Sequence, residues 1–214
     1  MDKNLLDKYN SEEGALSYVA EYDDKLHRKL SNVAEVRILE RLMKSVGQVD
    51  SLLDIPSGFG RFRDLFRGHA RQVVEGDWSL EMLRVNRSQA ETPDEVGFVR
   101  ADARSLPFAD DSIDCVVSIR LSHHIPDRSQ RYKHFDELLR VARRFVVATY
   151  FDEYSFKNLL RELRRPFNNK RSKWTLKTSE VRSLGRARGF ELVESVPIFR
   201  LSSGHRYALL RSGK

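Results

Sequence analysis

Four short runs in this 214-residue chain carry groups able to do chemistry. The first is Leu53-Asp54-Ile55-Pro56-Ser57-Gly58-Phe59-Gly60-Arg61, where an apolar run ends in an acid and a glycine turn follows. At the carboxyl end of a strand such a turn offers backbone N–H groups to a nucleotide-like ligand. The second is Asp77-Trp78-Ser79, about one βα unit downstream. A carboxylate there can accept hydrogen bonds from both hydroxyls of a ribose. The third, Asp102-Ala103, follows the next strand-like run and is placed to reach a purine edge. The fourth, Leu121-Ser122-His123-His124-Ile125-Pro126-Asp127, brings two imidazoles whose ordinary pKa suits proton removal from a hydroxyl. Two familiar phosphate loops are excluded. A dinucleotide fingerprint needs glycine at 63, where Arg63 stands, and no Gly-Lys-Ser/Thr follows. A bare G-x-G also fits an ordinary strand-to-helix turn.

The elements that must position these groups alternate. Strand-like runs are expected at 49–55, 71–77, 96–101, 113–119, 145–150, 191–197 and 205–211. Helical runs are expected at 11–30, 32–46, 61–68, from Ser79 as N-cap, 129–143, 156–165 and 179–188. Ala15, Tyr18, Val19 and Tyr22 share one face of the first helix, and Val36, Leu39, Met43 and Val46 one face of the second. The run Ile113-Asp114-Cys115-Val116-Val117-Ser118-Ile119 is nearly continuous in apolar residues, as a central buried strand should be. Phe156, Leu159, Leu160 and Leu163 are expected to face inward, with Arg161, Arg164 and Arg165 outward. Pro166 stops that helix and Gly189 ends the last. The pattern predicts an α/β fold with a doubly wound, mostly parallel seven-stranded sheet. A closing pair joined through Ser-Ser-Gly should be antiparallel.

Composition bounds the rest. The length fits one domain, divided into an N-terminal helical cap (1–46), a ligand-binding half (47–150) and a substrate-side half (151–214) with a basic insertion at 156–174. Net charge is +7. Six basic residues against one acid fall between Arg161 and Lys173, pointing to an acidic partner or a solvated arginine face. The single cysteine, Cys115, rules out an internal disulfide and a cysteine metal cluster. Its place within a strand gives no reason to expect a nucleophile, and the histidines lack metal-ligand spacing. The first residues have no apolar h-region and no run approaches a membrane span, so a cytoplasmic protein is expected.

The motifs together resemble the class I S-adenosylmethionine-dependent methyltransferases, in particular the group with the ubiquinone and menaquinone biosynthesis enzymes. That pattern is Leu-Asp-x-Gly-x-Gly-x-Gly-Arg, Asp-x-Ser-x-x-Met-Leu, Asp-Ala, Leu-Pro-Phe, Phe-Asp-x-Val and His-His. The chain has Asp77-Trp78-Ser79-Leu80-Glu81-Met82-Leu83, Leu106-Pro107-Phe108 and His123-His124 in order. Pro56 takes the first glycine slot and Ile113 stands where Phe is usual. The resemblance covers about residues 35–150, and more weakly the remainder. It implies a Rossmann-like methyltransferase fold, an N-terminal helical lid and S-adenosylmethionine as methyl donor. It places Asp54, Pro56, Gly58 and Gly60 at the methionine part of the cofactor, with Ser118 at the same rim. Asp77 falls at the ribose, and Trp78, Asp102 and Ala103 at adenine. For Trp78, stacking and a half-buried core position both stand.

The methyl acceptor then belongs beside the tip of the fourth strand. His123 or His124 is a candidate base, or the pair orients backbone at a helix start. Arg120 either meets an anionic or carbonyl oxygen of the acceptor or pairs with a nearby acid. Tyr22 on the lid, with Tyr9 and Tyr18, and Arg161 and Arg165 on the basic segment are further acceptor-binding candidates. The leading expectation is methyl transfer to a small anionic acceptor, at oxygen. An RNA or macromolecular acceptor using residues 161–173 is a second reading, and a silent cofactor-binding regulatory module a third. An anionic membrane surface is a lesser partner candidate.

Overall fold

The computed structural model describes residues 11, 13, 14, 17, 26–92, 95–164, 174–199 and 203–213, with backbone only for 26–30. The first helix with described bounds, α1, is Leu26–Val46. Then come β1 (Val49–Asp54), α2 (Arg63–Arg67), β2 (Ala70–Asp77), α3 (Leu80–Ser88) and β3 (Val96–Arg100). β4 (Ile113–Ser118) leads through a 3₁₀ turn (Ser122–His124) to α4 (Arg128–Val141) and β5 (Ala142–Phe151). Helices α5 (Phe156–Arg164) and α6 (Thr178–Ala187) precede β6 (Phe190–Pro197) and β7 (His205–Ser212). The seven strands order as β3-β2-β1-β4-β5-β7-β6. Neighbours from β3 to β5 pair in parallel, whereas β7 runs antiparallel to both β5 and β6. The expected seven-stranded sheet and its antiparallel closing pair are therefore present.

Period-two alternation divides the sheet between two cores. On β4, Val116 packs with Phe135 and Leu138 of α4 on one face, while Cys115 and Val117 pack toward Leu39 and Met43 of α1 on the other. Both faces of this strand are buried, which explains its lack of polar alternation. Chain order reverses direction at β1 and β4, so their carboxyl ends open a crevice between outgoing loops. The glycine turn and the His123-His124 segment both leave from that edge.

Several boundaries differ from the expected ones. α1 runs unbroken through Ser31, and most of the expected 11–30 helix, with the lid tyrosines Tyr9, Tyr18 and Tyr22, lies outside the described residues. α4 ends at Val141 and β5 begins at once, taking Arg143 and Arg144 into the strand. Arg143 is drawn across to buried Asp114 of β4, with Nε donating at 2.9 Å. Ser79 is the N-cap of α3, accepting from the Met82 N–H at 3.1 Å.

The largest correction concerns α5. Its apolar stripe does not face inward: Phe156 is 49%, Leu159 53% and Leu163 74% exposed. The buried residue is Asn158, whose Nδ2 donates to the Glu153 carbonyl at 2.9 Å. Arg161 turns inward too, its guanidinium 5.8 Å from the Phe151 ring centroid. The helix is rotated because its first turn is tied to the end of β5, with Ser155 and Glu153 binding Asn158. Among the described residues no helix is long and apolar enough to cross a membrane.

Candidate functional site

Three carboxylates converge at the carboxyl edge of β1 and β2. Asp54 ends β1 and is buried; among the described residues its Oδ1 has no hydrogen-bond partner. Burial pushes its pKa well above the usual range, and Glu75 and then Asp77 add to the rise while Arg61 opposes it. Glu75, fully buried on β2, is likewise raised, chiefly by burial. Asn86 of α3 donates to it at 2.9 Å and to Ser57 at 3.1 Å. Asp77 closes β2 and is raised to about 6, again by burial, despite backbone N–H groups that pull the other way. Its Oδ1 accepts from Ser79 at 2.8 Å and its Oδ2 from Gly58 at 3.0 Å. Each oxygen keeps a second lone pair for a ligand hydroxyl. A buried acid group of this kind is costly unless a cation neutralises it.

The two turn glycines do different work. Gly58 has φ +57° and open space where a Cβ would stand, so its backbone is accessible and its N–H is pinned by Asp77. Gly60 has φ +79°, and a Cβ there would run into the Arg63 guanidinium and the Asn86 amide. Its missing side chain therefore makes room for packing inside the loop. The helix after the turn starts at Arg63 and has only five residues. Anion binding by a long helix N-terminus is not what this turn offers. The Ile55–Pro56 peptide is cis, and Pro56 is partly exposed on the turn.

Beside Asp77, Trp78 is 38% exposed, with the Arg100 guanidinium 5.6 Å from its ring centroid. It is not a core residue, and its free surface suits stacking with a planar base. Asp102 is forked by Arg104, with Nε at 2.9 Å and Nη2 at 2.7 Å, which holds its pKa down despite partial burial. Ala103 is buried, and its carbonyl meets His134 Nδ1 at 3.2 Å. His134 Nε2 lies 3.3 Å from Ser118 Oγ. Because a carbonyl can only accept, Nδ1 carries the proton and Nε2 accepts from Ser118. Ser118 is therefore committed to a buried relay that links the tip of β4 to the Asp102-Ala103 loop.

Burial lowers the His134 pKa to about 4. The folded value lies below the unfolded one near 6.5, so the unfolded chain binds the extra proton between those limits. Stability from this group is complete above about pH 6.5 and declines toward pH 4, by ~3 kcal/mol at most. The unfolding free energy of His134→Gln should be flatter than wild type over that window. Parallel curves would rule the relay out as the cause.

A second cluster of side chains lies at the ends of β4, β5 and β7. His123 is buried, with ring centroids 4.0 Å from His124, 4.6 Å from His205 and 5.7 Å from Phe151. The 3₁₀ turn is docked on β5 by Ser122 Oγ, which donates to the Thr149 carbonyl at 3.1 Å. Arg161 covers Phe151 from α5, and among the described residues its Nη1 is buried without a hydrogen-bond partner. Arg165 lies outside the described residues. Among those described, no group of three His, Cys, Asp or Glu is arranged to hold a metal ion. Burial raises the Cys115 thiol to about 12, which leaves it inert at neutral pH.

Arg120 takes the salt-bridge alternative. Its Nε donates to Glu35 Oε1 at 2.7 Å, and Arg61 Nη2 reaches Glu35 Oε2 at 2.7 Å. Arg120 holds φ +62°, an uncommon value for a non-glycine residue, and its N–H donates to Thr149 Oγ1 at 2.6 Å. It is a positioning residue that joins α1, the glycine turn and the β4 tip, and not an open acceptor ligand. Sequence reasoning missed Glu35, Glu75, Asn86, His134 and His205. Two of these left a signal. Glu35 sits in the buried stripe Glu35, Leu39, Leu42, Val46, and Glu75 shares the buried face of Val73 and Asp77.

A methyltransferase domain model matches residues 53–147. Demethylmenaquinone methyltransferase of Clavibacter sepedonicus is 39% identical over 95 residues, covering 44% of this chain and 37% of the relative. The ubiquinone/menaquinone biosynthesis C-methyltransferase UbiE of Hahella chejuensis is 32% identical over 126 residues, 51% of each chain. The chain thus spans about half, or less, of the length of these curated relatives. In solved structures, magnesium protoporphyrin IX methyltransferase of Synechocystis PCC 6803 with bound SAH superposes with a TM-score of 0.80 at 16% identity, covering 99% of this chain and all of that one. The N-methyltransferase NodS of Bradyrhizobium japonicum WM9 with S-adenosyl-L-homocysteine gives 0.71 at 14% identity, with 99% and 98% covered.

Proposed function

The chain belongs to the class I S-adenosylmethionine-dependent methyltransferases, and from that premise we propose that it methylates a hydroxyl oxygen of a small anionic, ring-bearing acceptor. The donor fits the residues present. A cofactor with an ammonium and a sulfonium answers the buried acids Asp54, Glu75 and Asp77, of which Asp54 keeps an oxygen unpartnered among the described residues. Asp77 and the Gly58 backbone would hold the ribose side, and Trp78 with the Asp102-Ala103 loop the adenine. Bound S-adenosylmethionine supplies a methyl group on a positively charged sulfur, already activated toward a nucleophile. The chain's own residues then orient the acceptor, exclude water and accept a proton.

The observation that carries the acceptor reading is the grouping of His123, His124, His205 and Phe151 under Arg161. Aromatic faces suit a planar ring, and a guanidinium with a buried Nη1 suits its acidic group. An imidazole of the His123-His124 pair accepts the proton as the acceptor hydroxyl becomes the nucleophile. Two curated relatives are named for acting in quinone biosynthesis, which supports a ring acceptor while leaving carbon as the competing target atom.

The test is turnover with radiolabelled methyl donor against hydroxylated aromatic acids and their uncharged analogues, with the product atom assigned by mass spectrometry. Expected is methyl transfer to oxygen of the acidic members. Arg161→Met should raise acceptor KM about tenfold with donor affinity unchanged, since a hydrogen bond to a charged group contributes roughly 1.5–3 kcal/mol. Equal turnover of charged and uncharged acceptors, or methylation at carbon, would reject this assignment.

A further inference from the structure

The rotated α5 leaves an unusual surface. Phe156, Leu159 and Leu163 lie at i, i+3 and i+7 on its outer face, all about half exposed or more. Tyr154 (62% exposed), two residues before the helix, and Trp174 (40%) are further exposed aromatic residues in this part of the chain. Soluble helices bury such a stripe; this one shows it to the outside while Asn158 and Arg161 face the protein. Two of the three exposed charged residues on α5 are basic, Glu162 being the third. Lys157 and Arg164 are exposed, and the run from Arg161 to Lys173 has six basic residues against one acid.

We propose that α5 seats the protein on an anionic lipid surface, with Phe156, Leu159 and Leu163 entering the headgroup boundary and Lys157 and Arg164 meeting the negative headgroups. Three features fit this occupant better than a protein partner or a second copy. The apolar stripe is short and convex, lacking the extent of a stable protein interface. Its exposed charges, Lys157 and Arg164 against Glu162, leave the helix net basic on a chain of net charge +7, which disfavours a second copy and favours a negative surface. The exposed Tyr154 stands two residues before the helix, and amphipathic rings favour a headgroup layer. The inner side of the same helix carries Arg161 over Phe151, so lipid contact and the acceptor pocket share one element.

The experiment is sedimentation of the full chain with phosphatidylcholine vesicles, with and without about 30% phosphatidylglycerol. Binding should be about tenfold stronger to the anionic vesicles and fall as salt is raised. Leu159→Glu with Leu163→Glu should remove about tenfold or more of it while leaving S-adenosylmethionine affinity, read by calorimetry, unchanged. That second readout shows that the variant is folded and is independent of the acceptor assignment. Lys157→Glu with Arg164→Glu should remove only the preference for anionic vesicles. Four results would overturn the proposal: no vesicle binding, binding indifferent to the leucine variant, self-association abolished by that variant, or retention on RNA that the leucine variant leaves intact.

Discussion

Replacing Asp77 with alanine should weaken S-adenosylmethionine binding by about 100-fold, or ~3 kcal/mol, since two hydrogen bonds to a charged acceptor are lost. The carboxylate does two jobs at once. It pins the glycine turn through the Gly58 N–H and opens α3 through the Ser79 N–H, and each oxygen keeps a lone pair that would accept from a ribose hydroxyl. Alanine removes the ligand's partner and releases the turn together. The wild-type affinity should also fall as the pH drops below about 6, where burial has placed the Asp77 pKa. The sign is clear. The folded apoprotein holds a proton between about pH 4 and 6 that the unfolded chain has lost, so its stability from this group declines as pH rises through that window. A cationic ligand favours the ionised form, so binding near pH 6 must expel that proton. Isothermal calorimetry in two buffers of different ionisation enthalpy measures both effects. An Asp77→Ala protein with wild-type affinity would remove the ribose role.

Loss of Glu35 should destabilise the fold by about 3 kcal/mol, because deleting one member of a buried ion pair strands its partners. Glu35 is fully buried and accepts from both Arg61 and Arg120. Its removal strands two guanidinium groups, of which that of Arg61 also lies 4.1 Å from the Phe62 ring centroid. Against the roughly 5–15 kcal/mol of total stability of a typical domain this is a large fraction. Urea unfolding of Glu35→Ala should show a lower midpoint with an unchanged slope, meaning that the same surface is exposed. Glu35→Gln keeps an acceptor for one arginine and should cost less. A midpoint shift in Glu35→Ala worth under about 1 kcal/mol would mean that both arginines find other partners or water at little cost.

The triad also explains why the turn and the β4 tip keep their geometry. Arg120 holds a left-handed backbone that non-glycine residues seldom adopt, and such positions persist where neighbours over-determine them. Glu35 on α1 and Thr149 on β5 supply that restraint. The result is a mechanical link from the N-terminal helix to both halves of the crevice.

Local chemistry alone singled out Asp54, Gly58, Asp77, Trp78 and the His123-His124 run as candidates, because each stands at or just beyond a strand end. Strand existence was equally legible, since β4 and the part of β5 from Phe145 onward are buried on both faces and read as nearly continuous apolar runs. Helix α5 was misread for a physical reason. Its period of 3.6 reveals an apolar stripe but not which way the stripe points, and the Asn158 anchor at its base turned it outward. His205 and His134 could not have been assigned to the site, being 81 residues beyond His124 and 16 beyond Ser118 respectively, with no local pattern to join them.

By itself, then, the order of residues determined the α/β alternation, the acid-and-glycine rim and its kinship with the methyltransferases, because periodicity and turn chemistry act within a few residues. Tertiary structure alone decided that Arg120 serves Glu35, that Gly60 yields space to Arg63 and Asn86, and that the leucines of α5 face outward. Those outcomes depend on which distant groups share one buried volume, where desolvation and charge pairing outweigh any local preference.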